Sequence, residues 1–418
     1  MHKYAGWIIF GTLIFYLVSL LFSPFLYLAA AAAWLVPGIL WRSLPSSTRK
    51  QALFLLISGV LTLLFAAVKG VFLGWHSIVA GNLPLLAMFV AVSFLTLTTP
   101  EKEDPLLPAG RRAVLATALG THLIGGVINL SVLLVFGDRL RRRGGLSNEQ
   151  MIVLARSFCA AAWWSPFFIA TGVALIYAPE MHWQETVVPG LIMSGIAIVY
   201  LSVEVSYVRK GEFSGYPLKW ESLVVPLFLA IVVLCSHALL PDTGILVLIC
   251  MISPLGAVMF MKGRPRAAAL LDFITTRIVT VTSQFALFLA AGVFSMGIKS
   301  VTHVYPELFV MSSPVFSPLL FAGVGAAMII VGVLGVHPVI SIAVVSPLLL
   351  PLQPDHSQLG FLFLTSWAVS TACSPLSGVG LTLVSRYHAK PRQILVSNWH
   401  YAAAMWAIAS FVNILFFH

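Results

Sequence analysis

The stretch SWAVSTACSP, residues 366–375, decides how the chain is read. It sits inside the apolar segment 357–385 and carries four hydroxyls, on Ser366, Ser370, Thr371 and Ser374, followed at once by Pro375. A proline inside a helix removes a backbone hydrogen bond and kinks or breaks the helix. Lipid offers no replacement partner, so irregular backbone at membrane depth survives only where protein buries it or a cavity needs it. A second stretch, SFCAAAWWSP (157–166), aligns on the first without gaps, with Ser, an aromatic, Ser and Pro coinciding. It too lies in a segment, 147–178, longer than one crossing.

Around these two stretches the chain reads as membrane-embedded. Its 418 residues are 59% hydrophobic and 9% charged, against about 25% charged in soluble domains. The mean hydropathy is +0.98. No alternating barrel pattern appears, so the expected fold is an all-α polytopic membrane protein. At roughly 20 apolar residues per span, simple spans are expected at 5–22, 24–41, 51–72, 81–98, 187–208, 220–240, 244–261, 271–298 and 394–417. The first shows no cleavage site and is expected to stay as a helix. The four cysteines, Cys159, Cys235, Cys250 and Cys373, lie in apolar segments without metal-ligand spacing.

The net charge of +10 gives no reason to expect nucleic acid, because the basic residues sit in short loops where the positive-inside rule puts them. The basic loops are 42–50, 138–150, 209–219, 262–266 and 386–392; the loops 73–80, 176–186, 241–243 and 353–358 have no Lys or Arg. This pattern predicts a cytoplasmic (inner) membrane protein with its N-terminus inside and its C-terminus outside.

Two more segments do not read as single crossings. Segment 113–137 has basic residues at both ends, which predicts a re-entrant hairpin from the cytoplasmic side, its tip at GTHLIGGVIN (120–129), with the three glycines expected to turn the backbone. Segment 314–352 predicts a hairpin from the outer side, its tip at LGVHP (334–338). LGTH (119–122) resembles LGVH (334–337), with Ser131 and Ser346 at the same offset, and LLAMFVAVSF (85–94) weakly resembles FALFLAAGVF (285–294). The shared order and the opposite directions predict an inverted-topology repeat, about 11 transmembrane helices plus two re-entrant hairpins. Such repeats place a transport site at their interface. The expected division is 1–80 as scaffold helices, 81–208 as repeat 1, 209–270 as further scaffold and 271–418 as repeat 2.

Broken helices free amide N–H groups for an anion and carbonyls for a cation. The candidate substrate-binding residues are Thr121, His122, Asn129, Ser165, Thr171, His337, Ser341, Ser374 and Ser377. Gly125, Ser165, Ser374 and Gly378 are candidates for a coupling cation. Taken singly, each Ser or Thr equally fits helix packing. His122 and His337 are expected at equivalent tip positions, as structural residues or as anion or proton ligands. Asp272 and Glu204 are expected at the interface. Lys69 is expected to snorkel, and Arg277 is open. The near absence of buried carboxylates favours an anionic or neutral substrate. Trp163 and Trp164 read as helix packing.

In its order of elements the chain resembles the ion transporter superfamily, closest in architecture to the divalent anion:sodium symporters. The resemblance covers nearly the whole chain in topology and rests on the Ser-Pro pairs 165–166 and 374–375 with SGVG (377–380). Where that family has Ser-Asn-Thr near each hairpin tip, this chain has INLS (128–131) and VISIA (339–343). The resemblance implies a homodimeric elevator-type secondary transporter of a small organic anion, coupled to sodium or protons, with no organic cofactor. The large membrane subunit of TRAP transporters is a related reading. An intramembrane enzyme or translocator for a lipid-linked substrate is a third. Its best cluster, Glu180, His182 and Glu185 in APEMHWQET, fits a solvated outer loop better.

Overall fold

A computed structural model describes residues 2–98, 107–141, 145–209, 212–216, 220–240, 242–261, 265–308 and 316–417. Of the expected basic-loop residues, Arg142, Arg143, Lys210, Lys219, Lys262 and Arg264 lie outside the described residues.

In chain order the helices are α1 (His2–Ser19), α2 (Phe25–Leu40), α3 (Ser46–Val68), α4 (Trp75–Ala80), α5 (Leu83–Ser93), α6 (Arg111–Ile128), α7 (Ser131–Leu140), α8 (Asn148–Ala160), α9 (Ile169–Tyr177) and α10 (Trp183–Val203). They continue as α11 (Trp220–Leu239), α12 (Ile245–Phe260), α13 (Arg266–Asp272), α14 (Thr282–Val304), α15 (Pro318–Val333), α16 (Pro338–Leu349), α17 (His356–Cys373), α18 (Gly378–Tyr387) and α19 (Pro391–Phe417). Extended pairing among the described residues is limited to an isolated bridge between Ala109 and Ser214. Seven helical stretches among them are long and apolar enough to cross a membrane, the longest being Arg266–Val304 and His356–Tyr387. The expected count of about 11 full spans is not met by length. The difference lies in shorter apolar helices such as Tyr4–Ser19, Leu227–Leu239 and Ile245–Phe260.

The chain forms two compact units. Unit 1 comprises 1–101, 228–315 and 342–354; unit 2 comprises 102–227, 316–341 and 355–418. The divisions expected at 80/81 and 208/209 do not coincide with these boundaries, and α16 is shared between the units.

Unit 1 is built on α3 lying along α14. Gly59 permits that approach, since a Cβ there would lie 2.7 Å from the Phe294 Cα. Small residues let membrane helices pack backbone to backbone. Gly59→Leu is therefore expected to destabilise unit 1 by about 1–3 kcal/mol of overpacking, seen as a lower melting temperature of the detergent-purified protein. Gly38→Leu, where a side chain meets open space, is the matched control and is expected to melt like the parent. The buried Asn82 donates from Nδ2 to the Phe288 carbonyl at 2.6 Å in the same unit. Lys69 is exposed at the C-cap of α3. Arg277 is half exposed and pairs with Asp272 at 3.0 Å.

Unit 2 contains a helical hairpin (α6–α7), a helix broken in the middle (α8–α9) and a long helix (α10). The same order follows as α15 with the start of α16, then α17–α18, then α19. The two broken helices run antiparallel. Near the start of the second, the Glu180 and His182 amides, just past α9, donate to His356 Nδ1 and Ser357 Oγ at 3.2 and 3.1 Å. At the other end, Asp138 of α7 binds Arg386 of α18 through two bonds of 2.9 and 2.6 Å. The Arg386 guanidinium, with Tyr387 beside it, holds the Asp138 carboxyl below its usual range. Between these ends the helices are joined by Trp163 Nε1 donating to Thr365 Oγ1 at 3.1 Å.

Candidate functional site

Both breaks follow from the Ser-Pro pairs. In the second, α17 ends at Cys373 and the backbone is extended at Ser374. Pro375 has no N–H to offer the Thr371 carbonyl one turn back. Ser377 Oγ takes over, 2.8 Å from Thr371 O and 2.9 Å from Ser374 O. The same hydroxyl accepts from the Gly380 amide at 3.0 Å and so caps α18. Ser374 Oγ accepts from the Leu376 amide at 3.3 Å.

In the first break, α8 ends at Ala160, passes through one 3-10 turn (Ala161–Trp163), and restarts as α9 at Ile169. Thr171 Oγ1 donates to the Ser165 carbonyl at 2.7 Å. The N-cap of α9 is Phe168, which has no oxygen to offer. Asn129, from the turn between α6 and α7, fills this role. Its Oδ1 accepts from the Ile169 amide at 3.4 Å and its Nδ2 donates to the Phe167 carbonyl at 2.9 Å. Ser165 Oγ donates to the Gly126 carbonyl.

Each hairpin tip thus ends on its own break. The second does so at Gly335, whose φ of +108° is in the left-handed region and where a Cβ would strike the Leu376 side chain. His337, at this tip, packs edge-on against Trp367 with centroids 5.3 Å apart and accepts from the Val339 amide at 3.3 Å. Ser341 bonds to the Pro338 carbonyl in the first turn of α16.

The first tip is not at the glycines. α6 runs unbroken through Gly120, Gly125 and Gly126, and the turn falls at Asn129, with φ 53° and ψ −142°. His122 therefore lies within the helix and is not the structural counterpart of His337. Its ring is fully occupied: Nδ1 lies 3.1 Å from the Ser157 carbonyl, and Nε2 accepts from Trp164 Nε1 at 3.0 Å. A neutral ring donating at Nδ1 satisfies both bonds. Gly125 supplies a carbonyl to the Asn129 amide at 3.0 Å.

The sites differ in openness. At the first break Ser165, Pro166, Phe167 and Phe168 are buried. At the second, Leu376 and Gly378 are exposed, and a Cβ at Gly378 meets nothing within 4 Å. Among the described residues the amides of Gly378 and Val379 have no hydrogen-bond acceptor. The Thr371, Ser366 and Thr121 hydroxyls are buried without partners. The candidate residues thus gather into two clusters: Gly125, Asn129, Ser165 and Thr171 at the first break, and Ser374, Ser377 and Gly378 at the second, where the structure adds Thr371.

A charged network escaped the sequence reading. Arg156, in α8, is fully buried, and Glu204, expected at the interface, is also buried. Arg156 donates to Glu204 Oε2 at 2.6 Å, Asn398 Oδ1 at 2.7 Å and the Ser397 carbonyl at 2.7 Å, and lies 4.4 Å from the centroid of the Tyr401 ring. A single arginine inside segment 147–178 was the available signal. An intramembrane charge is a functional or structural focus by default.

No family model matches the chain, and no curated protein matches it. Among solved structures it is similar to the Alcanivorax borkumensis YdaH transporter, whose crystal structure is described as having an unusual topology. That likeness is 11% identity and a TM-score of 0.49, covering 88% of this chain and 98% of that one.

Proposed function

We propose that the protein is a secondary active transporter for a small organic anion, coupled to sodium or protons. The observation that carries this is the pair of antiparallel broken helices, each met by a hairpin tip, with the second break left open. Two unpartnered amides at the start of α18 suit a carboxylate, since a helix N-terminus is electropositive. The Thr371 hydroxyl and the carbonyls of Thr371 and Ser374 supply the hard oxygens a sodium ion takes. The antiparallel run of the broken helices supports an inverted-topology repeat. In the elevator form of the proposal, unit 2 carries the site and a homodimer anchors unit 1.

The test is a thermal-shift screen of purified protein against mono- and dicarboxylates, with and without sodium, followed by uptake into proteoliposomes under separate sodium and proton gradients. A bound anion raises the melting temperature by mass action. No shift with any anion, together with no uptake dependence on either gradient, overturns the proposal. Within it, Ser377→Ala removes the α18 cap, about 1 kcal/mol, and Ser374→Ala removes the Leu376 bond. Both are expected to lower uptake several-fold at equal expression, while Arg392→Ala on the exposed surface leaves it unchanged.

One observation favours an alternative reading, a translocator of a lipid-linked substrate. A cavity of about 420 Å³, lined by Ile329, Val333, Cys373, Trp399 and Trp406 among others, lies between α15, α17 and α19 beside the second break. Long-chain anions that stabilise the protein where short ones do not would select this reading.

A further inference from the structure

The Arg156–Glu204 network continues to the surface of unit 2. At the end of α10 the chain makes a π-helical turn, Glu204–Val208. The wider turn brings Arg209 back over Glu204, so that its Nε donates to Oε1 at 2.8 Å. His400 of α19 approaches the other oxygen, with Nε2 3.2 Å from Oε2. Two guanidiniums and an imidazole therefore share one carboxylate. Among the described residues Glu204 is the only acid that either guanidinium meets. Two guanidiniums against one carboxylate leave the cluster with one uncompensated positive charge. Arg111, lying 4.3 Å from the Tyr207 ring centroid, brings a further cation to the same turn.

This excess charge is not sealed inside. A pocket of about 510 Å³ opens over it, lined by Tyr200, Val203, Glu204, Val208, Arg209 and His400. The side chains of Arg209 and His400 are 21% and 32% exposed, whereas Arg156 is closed off. Of the lining residues Val203 and Val208 are exposed, Tyr200 adds an aromatic ring, and Trp399 packs edge-on against His400 with centroids 5.8 Å apart. Tyr and Trp beside a cationic pocket mark headgroup depth in a bilayer. The basic loop that follows Arg209 places this end of α10 at the cytoplasmic leaflet, where anionic lipids concentrate.

We propose that this pocket is a binding site for the phosphate of an anionic phospholipid headgroup, held by Arg209 and His400, with the glycerol end against Val203 and Val208. The chemistry recognised is a phosphate monoanion with no cation attached to it; in phosphatidylcholine the choline cation meets the excess positive charge of the cluster. Its two sources are the lipid and free phosphate, and the apolar rim selects the lipid. The buried Arg156 keeps Glu204 from neutralising Arg209 completely, because the one carboxylate is divided between them.

The test uses the full-length protein in a neutral detergent. Short-chain phosphatidylglycerol, phosphatidylcholine of the same chain length and inorganic phosphate are added separately, and the melting temperature and the lipid retained in native mass spectrometry are read. Phosphatidylglycerol is expected to raise the melting temperature and to be retained, phosphatidylcholine to do neither. Arg209→Gln and His400→Gln are each expected to lose at least half of the phosphatidylglycerol-specific shift, whereas Arg392→Gln, which makes the same charge change as Arg209→Gln but at the start of α19, keeps it. Equal shifts from phosphatidylcholine and phosphatidylglycerol overturn the proposal. So does a loss in Arg392→Gln as large as in Arg209→Gln, which means general attraction to a basic face. An equal effect of inorganic phosphate overturns the lipid assignment. If Arg209→Gln is poorly folded, His400→Gln and the retained-lipid count decide alone.

Discussion

Asn129→Gly is expected to leave the protein folded and to cut uptake at least tenfold. The wild-type Asn129 holds φ 53° with ψ −142°, a region glycine tolerates and other residues enter only with strain of about 1–3 kcal/mol. Glycine relieves that strain. It also removes the bond that Oδ1 accepts from the Ile169 amide and the one that Nδ2 donates to the Phe167 carbonyl, each worth about 0.5–1.5 kcal/mol net. The two effects are of similar size and opposite sign, so the melting temperature changes little. Asn129→Ala loses the same bonds and keeps the strain, so it is expected to melt clearly lower. Both variants leave the start of α9 uncapped and the first hairpin tip unattached to its break. Uptake of the anion identified by thermal shift is therefore expected to fall alike in both. Amide exchange across 165–171 is expected to accelerate in both, a readout that needs no substrate. Wild-type uptake by Asn129→Gly would show that the tip contact is dispensable. Equal melting of the glycine and alanine variants would show that no strain is stored there.

What the sequence made legible follows from covalent facts. A proline lacks an N–H wherever it stands, so the breaks at 165–166 and 374–375 were readable, and so were most span limits from the apolar runs. The first hairpin tip was not, because glycine permits a turn without requiring one. In α6 the glycines serve close packing instead: a Cβ at Gly125 would press on Phe158 and Val132. The turn was left to Asn129, and the LGTH–LGVH alignment set His122 beside His337 although one is helical and the other is in a loop. The difference between the breaks was hidden for a related reason. Phe168 and Ser377 are equivalent N-caps, but which is open depends on whether a hairpin reaches over to cap it, a contact 40 residues away in the case of Asn129 and Ile169. Arg156 was overlooked because its partners, Glu204 and Asn398, are 48 and 242 positions distant.

Glu204→Met is expected to be the most damaging single change in the buried network, and Arg156→Met to undo part of it. Without Glu204, the fully buried Arg156 retains Asn398 Oδ1 and the Ser397 carbonyl but no counter-charge. Removing one partner of a buried ion pair costs about 3–5 kcal/mol, because the remaining charge is uncompensated. The single change Arg156→Met is milder. Glu204 keeps Arg209 at 2.8 Å and His400 at 3.2 Å, and the loss is the hydrogen bonds to Asn398 and Ser397 together with the stacking on Tyr401. In the double variant neither buried charge remains, and Arg209, already part-exposed, turns to water. The double variant is therefore expected to melt above Glu204→Met, with a double-mutant cycle that departs from additivity by more than 1 kcal/mol. Melting temperature and the monodisperse fraction on size exclusion are the measurements. Simple additivity would mean that Glu204 acts through shape and not charge. Recovery in the double variant would mean that this part of α8, α10 and α19 could be held together by apolar packing, so that stability alone does not account for the ion cluster. What the apolar replacement removes is the shared carboxylate that holds Arg209 and His400 in place at the pocket.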